Sequence, residues 1–270
     1  MELNDEQLER YSRHIILKDV GIEGQERILQ GKVLIVGAGG LGAPAALYLA
    51  AAGVGTIGIV DGDVVDRSNL QRQVIHFTPD IGTPKVLSAK EKMLQINPGI
   101  TVTTYQDRVF AHNILDIIRD YDFVIDGTDN FPAKFLVNDA CVMASKPFSH
   151  GGILRFEGQT MTYVPGSTCY RCVFLNPPPK NAVPSCSQAG VLGAVAGMLG
   201  TIQAAEAIKF LVAKGELLTG RLLTFNALSM EFRTVRIKRN PECPICGSHP
   251  TITRLEDCEQ PVCDLKRHEQ

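Results

Sequence analysis

The tightest constraint on this chain is a glycine cluster, Gly37-Ala38-Gly39-Gly40-Leu41-Gly42, set between a β-branched run and a helix-forming one. Val33-Leu34-Ile35-Val36 before it reads as a short strand, and Pro44 to Ala52 after it as a helix. A strand that turns through glycine into a helix brings backbone N–H groups to a helix N-terminus, where they can face an anion. The next strand, Thr56 to Val60, ends in Asp61, the place where an acidic side chain accepts hydrogen bonds from ribose hydroxyls. Packing of strand on helix would account for Gly37, Gly39, Gly40 and Gly42 alone. The whole strand-turn-helix-strand-acid unit predicts a nucleotide site.

The alternation continues with Thr83 to Gln95 as helix, Ile100 to Tyr105 as strand, Asn113 to Ile118 as helix and Phe123 to Asp126 as strand, which predicts a Rossmann-like parallel α/β sheet. From Pro147 onward, strand-like pieces at Gln159 to Val164, Arg221 to Asn226 and Glu231 to Ile237 surround a helix near Gly190 to Val212. They predict an antiparallel C-terminal extension of the same sheet. Ahead of the core, Asp5 to Leu29 carries Leu8, Tyr11 and Ile15 at helical spacing and reads as one or two helices. The expected organisation is an N-terminal helical segment (1–30), a Rossmann-like domain with a metal-binding C-terminal part (31–250), and a polar, poorly ordered tail (251–270). Asn176 to Ser185, with four prolines, reads as disordered or as a functional crossover.

Composition removes several function classes. Across 270 residues, 27 Lys and Arg stand against 29 Asp and Glu, so a net charge of −2 gives no electrostatic case for nucleic acid or an anionic membrane surface. The N-terminus lacks the basic start and apolar run of a secretory signal, and the most apolar window, Val191 to Ile202, is too short to span a bilayer and reads as a buried helix. A cytoplasmic location is expected. In a reducing compartment, Cys169-x-x-Cys172 and Cys243-x-x-Cys246 point to a tetrahedral four-thiolate zinc site with no open position, against the alternative of redox dithiols. Cys186 lies after the proline-rich loop and before a helix start, where a thiol can act as a nucleophile, although an ordinary half-buried cysteine would look the same. Cys141 reads as core, and Cys258 and Cys263 fall in the tail.

The basic residues separate one nucleotide from another. A dinucleotide pyrophosphate can be held largely by backbone, whereas a triphosphate needs cations or metal around it. Asn69, Arg72 and Lys85 follow Asp61, and Asp129 lies just past a parallel strand, where α/β sheets bind ligands. Together they suit ATP with Mg2+. A nicotinamide-dependent oxidoreductase would leave Arg72, Lys85 and Asp129 without a role.

Arg10-Tyr11-Ser12-Arg13, Gly37 to Gly42, Asp61 to Gln73, Lys85, Asp126 to Asn130, Cys169-Tyr170-Arg171-Cys172 and Cys243-Pro244-Ile245-Cys246 together resemble ThiF, MoeB and HesA, relatives of the ubiquitin-activating enzymes. The resemblance runs from about Glu6 to Gly247 and implies an ATP-dependent adenylyltransferase. Its substrate would be the C-terminal glycine carboxylate of a ubiquitin-fold sulfur-carrier protein ending in Gly-Gly, with pyrophosphate released, in thiamin or molybdopterin biosynthesis. By the same resemblance Gly39 and Gly42 contact phosphate, Asp61 holds ribose, Asn69, Arg72 and Lys85 neutralise phosphate charge, and Asp129 holds Mg2+. Arg13 would reach the active site of the other subunit in a homodimer, and Cys186 would be the cysteine that can take the activated carrier covalently. Sulfur would come from a separate donor, and the zinc would be structural. Some relatives adenylate a small molecule or a tRNA-borne carboxylate instead. Because a carboxylate is already ionised at neutral pH, the chemistry needs no general base. His76 and His150 therefore read as structural.

Overall fold

A computed structural model describes residues 2–179 and 189–257. Three short helices open the chain: α1 (Asp5–Arg10), α2 (Ser12–Ile15) and α3 (Gly21–Gln30). Asn4 caps α1 by accepting from the Gln7 backbone N–H at 2.9 Å, while the Gln7 side chain accepts from the Asn4 N–H at 3.1 Å. The segment expected to hold one or two helices holds three, because the glycine at position 21, with φ of +60°, restarts the chain into α3.

The core then alternates as β1 (Lys32–Val36), α4 (Gly42–Ala52), β2 (Thr56–Val60), α5 (Lys85–Ile96), β3 (Thr101–Tyr105), α6 (Ile114–Ile118), β4 (Phe123–Asp126), α7 (Phe131–Met143) and β5 (Phe148–Leu154). These five strands pair in parallel, in the order β3-β2-β1-β4-β5. Then come β6 (Glu157–Tyr163), α8 (Tyr170–Val173), α9 (Gly193–Val212), β7 (Arg221–Asn226) and β8 (Glu231–Arg236), with β6, β7 and β8 added antiparallel on the β5 edge. The expected fold class holds, a parallel sheet with an antiparallel C-terminal extension. The strand that the sequence did not single out, β5, joins the two halves: it runs parallel to β4 and turns through Arg155 and Phe156 into antiparallel β6.

Side-chain alternation on β1 divides the interior into two layers. Val33 and Ile35 face Ile28, Leu49, Ile57, Ile59, Met93, Ala204 and Ala207, beneath α3, α4, α5 and α9. Leu34 and Val36 face Phe135, Phe148, Tyr163, Tyr170 and Cys243, beneath α6, α7 and α8. A strand covered on both faces has no polar face, which is why β1 reads as an unbroken apolar run. Helix α9 is long and apolar enough to cross a membrane by those two criteria alone, yet half of it is buried in the protein. It carries Gln203 and Glu206 into the interior with it. Both are hydrogen-bonded there, Glu206 to Thr162 and the Leu218 N–H, Gln203 to the Asp126 and Ser149 carbonyls.

From β1 the chain order moves one way to β2 and β3 and the other way to β4 and β5, so the sheet reverses between β1 and β4. The crevice beyond the carboxyl ends of two such strands is where open α/β sheets take ligands. Two loops border it, 37–41 after β1 and 127–130 after β4. They touch: a Cβ on Gly37 would lie 2.9 Å from the Gly127 carbonyl oxygen, and Gly37 has φ of +98°. Residues 251–257 form no helix or strand but are tied down, with Asp257 accepting from the Ala111 N–H at 2.8 Å. Cys258, Cys263 and the rest of the tail lie outside the described residues.

Candidate active site

The glycine loop is closed in by backbone at Gly37 and Gly42, whereas a Cβ on Gly39 would meet nothing nearer than 3.7 Å. A Cβ on Gly42 would fall 1.8 Å from the Gly37 carbonyl oxygen, and one on Gly200 of α9 would fall 2.3 Å from the Leu41 carbonyl oxygen. Helices α4 and α9 therefore close directly on the loop and leave its backbone as the exposed chemistry. Beside it, the Arg72 stem covers Gly40, and the Gln73 carboxamide lies against Gly39. Gln73 is buried, and its Oε1 has no hydrogen-bond partner among the described residues. An orphaned acceptor against a backbone cradle is what a bound polar ligand would complete.

Asp61 closes the loop from the β2 side. One carboxylate oxygen accepts from the Ala38 N–H at 2.8 Å, and the other from the Asp63 N–H at 2.8 Å. Burial pushes its carboxyl above the usual range, with Lys85 and the two backbone N–H groups opposing. Lys85 begins α5 directly after Pro84, and its buried ammonium is 3.2 Å from Asp63 and 4.0 Å from Asp61. Asp63 also accepts from Arg108 at 3.0 Å. Burial raises the Asp63 carboxyl, but Arg108 and Lys85 outweigh it and hold the group below the ordinary value. Asn69 spends its side-chain oxygen on the Asp66 N–H at 3.2 Å, and Arg72 donates to the Ser68 carbonyl at 3.0 Å, so both shape the 66–72 turn.

On the opposite wall, Asp126 ends β4 fully buried. One of its oxygens accepts from the Thr128 N–H and hydroxyl at 3.0 and 2.6 Å. The other faces His150 Nδ1 at 2.9 Å and Lys134 Nζ at 3.5 Å. Burial alone would raise this carboxyl; Lys134, His150 and Thr128 together hold it down at about 2. Burial likewise pushes the His150 ring downward and keeps it neutral, so Nδ1–H is the donor to Asp126. Asp129 stands three residues on, exposed, with one long 3.5 Å contact to the Asn130 amide. It lies near enough to Arg108 to help raise that guanidinium's pKa. Its remaining acceptor capacity suits a hard cation such as Mg2+.

Thus Gly37, Gly39, Gly40, Gly42, Asp61, Asn69, Arg72, Lys85 and Asp129 gather at one crevice. Arg13 does not join them. It is exposed on α2, next to Tyr11, which packs on Gly53 and accepts from Asn97 at 2.8 Å, at the far end of α4 from the glycine loop. Cys186 lies outside the described residues.

A second constellation lies under α7. The Sγ atoms of Cys169, Cys172, Cys243 and Cys246 are all within 4.8 Å of one another. Cys169 to Cys243 is 3.6 Å, Cys172 to Cys246 3.4 Å and Cys169 to Cys172 3.9 Å. A tetrahedral ion with metal–sulfur bonds of about 2.3 Å would set its sulfurs about 3.8 Å apart, so the geometry fits a four-thiolate site. The Asn240 backbone N–H donates to Cys172 at 3.4 Å, a contact that favours a thiolate.

Compared with known proteins, the chain matches the ThiF family over residues 11–245. It is 50% identical over 259 residues to the SAMP-activating enzyme E1 of Haloferax volcanii, covering 96% of each chain. It is 47% identical over 272 residues to the sulfur carrier protein adenylyltransferase of Thermus thermophilus, covering 98% of this chain and all of that one. The chain belongs to the ThiF family. As a solved structure, E. coli MccB with ATP superposes with a TM-score of 0.77 at 25% identity, over 88% of this chain and 74% of that one.

As a member of the ThiF family the chain is an adenylyltransferase of the ThiF/MoeB type, and three features of its site were not legible in the sequence. Arg108 follows β3 with no motif around it, and only the fold brings it to Asp63. Gln73 was visible at the end of the Asp61 to Gln73 run, but its burial against Gly39 depends on the turn made by Asn69 and Arg72. Lys134 lies four residues after Asn130, the cap of α7, where a helical turn returns it to the strand ends.

Proposed function

We propose that this chain uses ATP to adenylate the C-terminal glycine carboxylate of a ubiquitin-fold sulfur-carrier protein ending in Gly-Gly. The observation that carries the reading is the cluster of cations, Arg72, Lys85 and Arg108, around a glycine loop at the sheet's reversal point, with an exposed carboxylate, Asp129, across the crevice. A dinucleotide does not call for that charge, whereas a triphosphate does. The names of the Haloferax and Thermus relatives, and the ATP held by MccB, support the same reading.

In the proposed reaction a carrier carboxylate oxygen bonds to the α-phosphorus of ATP, the bond from that phosphorus to the bridging oxygen breaks, and pyrophosphate leaves with the electron pair. No proton has to move. The loop N–H groups and Gly39 and Gly42 hold phosphate oxygens, and Asp61 turns toward the ribose. Asn69, Arg72 and Lys85 stabilise charge that builds on the departing pyrophosphate, using the donors they have beyond their contacts within the 61–72 segment. Asp129 would hold Mg2+, which supplies further neutralisation of the phosphates. Cys169, Cys172, Cys243 and Cys246 would hold a structural Zn2+.

The carrier is of the thiamin or molybdopterin kind, with sulfur from a separate donor that attacks the acyl-adenylate directly or after transfer to Cys186. The enzyme acts as a cytoplasmic homodimer, with Arg13 completing the neighbouring subunit's site. The test is ATP–pyrophosphate exchange with purified carriers of each kind. Exchange that depends on one carrier names the pathway; exchange with none, from protein that binds ATP, sinks the proposal and leaves a small-molecule or RNA carboxylate as substrate.

A further inference from the structure

Lys134 is a charged side chain near the crevice that the proposed reaction does not use. It is buried in the first turn of α7, where the helix dipole disfavours a cation. Three acceptors offset that cost. Its ammonium donates at 2.6 Å to the carbonyl of Thr128 and at 2.5 Å to the carbonyl of Gly151, and lies 3.5 Å from the Asp126 carboxylate. Those acceptors sit on the β4 strand end, on the loop that follows it, and on β5. One side chain thus ties the end of β4, the middle of β5 and the residue preceding Asp129.

We infer that Lys134 is a positioning residue that fixes the 127–130 loop so that the Asp129 carboxylate is presented to metal-bound nucleotide. This rests on the reading of Asp129 as the Mg2+ ligand. The loop has other anchors: Thr128 bonds Asp126, and the Asn130 side chain accepts from the Ala133 N–H at 2.9 Å as the cap of α7. Those two fix its start and its end. Among the described residues, the Lys134 bond to the Thr128 carbonyl is the hydrogen bond that sets the peptide between Thr128 and Asp129, and hence the direction in which the Asp129 side chain leaves the backbone. A purely structural lysine would leave the metal dependence unchanged when replaced, because the loop would keep its course. A positioning lysine would not.

The experiment measures Mg2+-dependent ATP binding by calorimetry, and carrier-dependent ATP–pyrophosphate exchange across the same Mg2+ titration, for wild type, Lys134→Met and Asp129→Asn, with fold checked by near-ultraviolet dichroism. For a misplacement of about 1 Å, Lys134→Met should raise the half-saturating Mg2+ by about tenfold and lower kcat by up to about 100-fold while remaining folded. Should the methionine variant not fold, Lys134→Gln, which keeps a donor but drops the charge, takes its place with the same expectation. Wild-type Mg2+ dependence in the folded variant overturns the inference. Asp129→Asn separates the two readings: if it too exchanges normally, the assignment of Asp129 fails; if it is dead while the Lys134 variant behaves as wild type, only the role of Lys134 fails.

Discussion

At the scale of single residues, the buried pair Asp126 and His150 ties stability to pH. Asp126 is held at about 2 against an ordinary 3.8, so its contribution is complete above about pH 3.8 and is lost as pH falls toward 2. His150 is kept neutral below its ordinary 6.5, so an unfolded chain takes up a proton that the folded chain refuses. Stability should therefore fall as pH drops below 6.5, with His76, also pushed down by burial, acting in the same direction. His150→Asn keeps a donor where Nδ1–H stands and removes the titration. Its denaturant midpoint, followed between about pH 5 and 6.5, should lose up to about one proton's worth of slope, ~1.4 kcal/mol per pH unit. An unchanged slope would mean that His150 binds its proton equally in both states. None of this was visible in the sequence beyond a structural role for the two histidines. A buried partner is a fact of the fold: His150 meets Asp126 only because β5 lies beside β4 in the register that pairs them.

At the scale of elements, α7 is gripped at both ends. Its first turn holds the 127–130 loop through Asn130 and Lys134, and its second half is held by the cysteine knuckle. The Tyr170 N–H donates to Asn138 at 2.8 Å, Arg171 meets Asp139 with two bonds of 2.7 Å, and Phe135 packs edge-on against Tyr170. The four cysteines stand where a structural Zn2+ is proposed, so stripping a bound ion should loosen α7 as well as the C-terminal strands. Strong chelation is expected to release about one equivalent of zinc and lower the thermal midpoint by about 10 °C. Amide exchange along α7 should quicken in parallel. A chelated protein with an unmoved midpoint would mean that the cluster carries no structural ion, and unaltered α7 exchange that the knuckle does not hold the helix. The Cys-x-x-Cys spacing alone announced the cluster, because knuckle geometry is local. That the knuckle docks on α7 was not legible, since Asn138 and Asp139 look like any polar pair in a helix until Tyr170 and Arg171 are brought to them. The parallel strands were legible because two-sided burial leaves apolar runs. Strand β5 was not, because Ser149, His150, Gly151 and Gly152 interrupt its apolar pattern.

At the scale of the whole molecule, a single chain carries a crevice and, away from it, an arginine that the family resemblance assigns to catalysis. Arg13 projects from α2 beside Tyr11, at the end of α4 opposite the glycine loop, and α4 spans about 16 Å for its eleven residues. A side chain there does not serve its own crevice, so if Arg13 acts in the reaction it acts across a two-fold interface. Exposed Ile16, Leu17 and Ile22 next to it give that end of the molecule an apolar surface of the kind an interface covers. Subunit mixing decides the matter. Arg13→Ala and Asp129→Ala should each be inactive in ATP–pyrophosphate exchange. In a dimer of one with the other, the first subunit keeps its Asp129 and receives Arg13 from the second, which restores one site of two. With random exchange half of the dimers are mixed, so about a quarter of wild-type activity should return. If Arg13 served its own subunit, every site in the mixture would lack one of the two residues and no activity would appear. If Arg13→Ala alone were fully active, the residue would have no part in the chemistry, and the dimer would have to be justified by its interface alone.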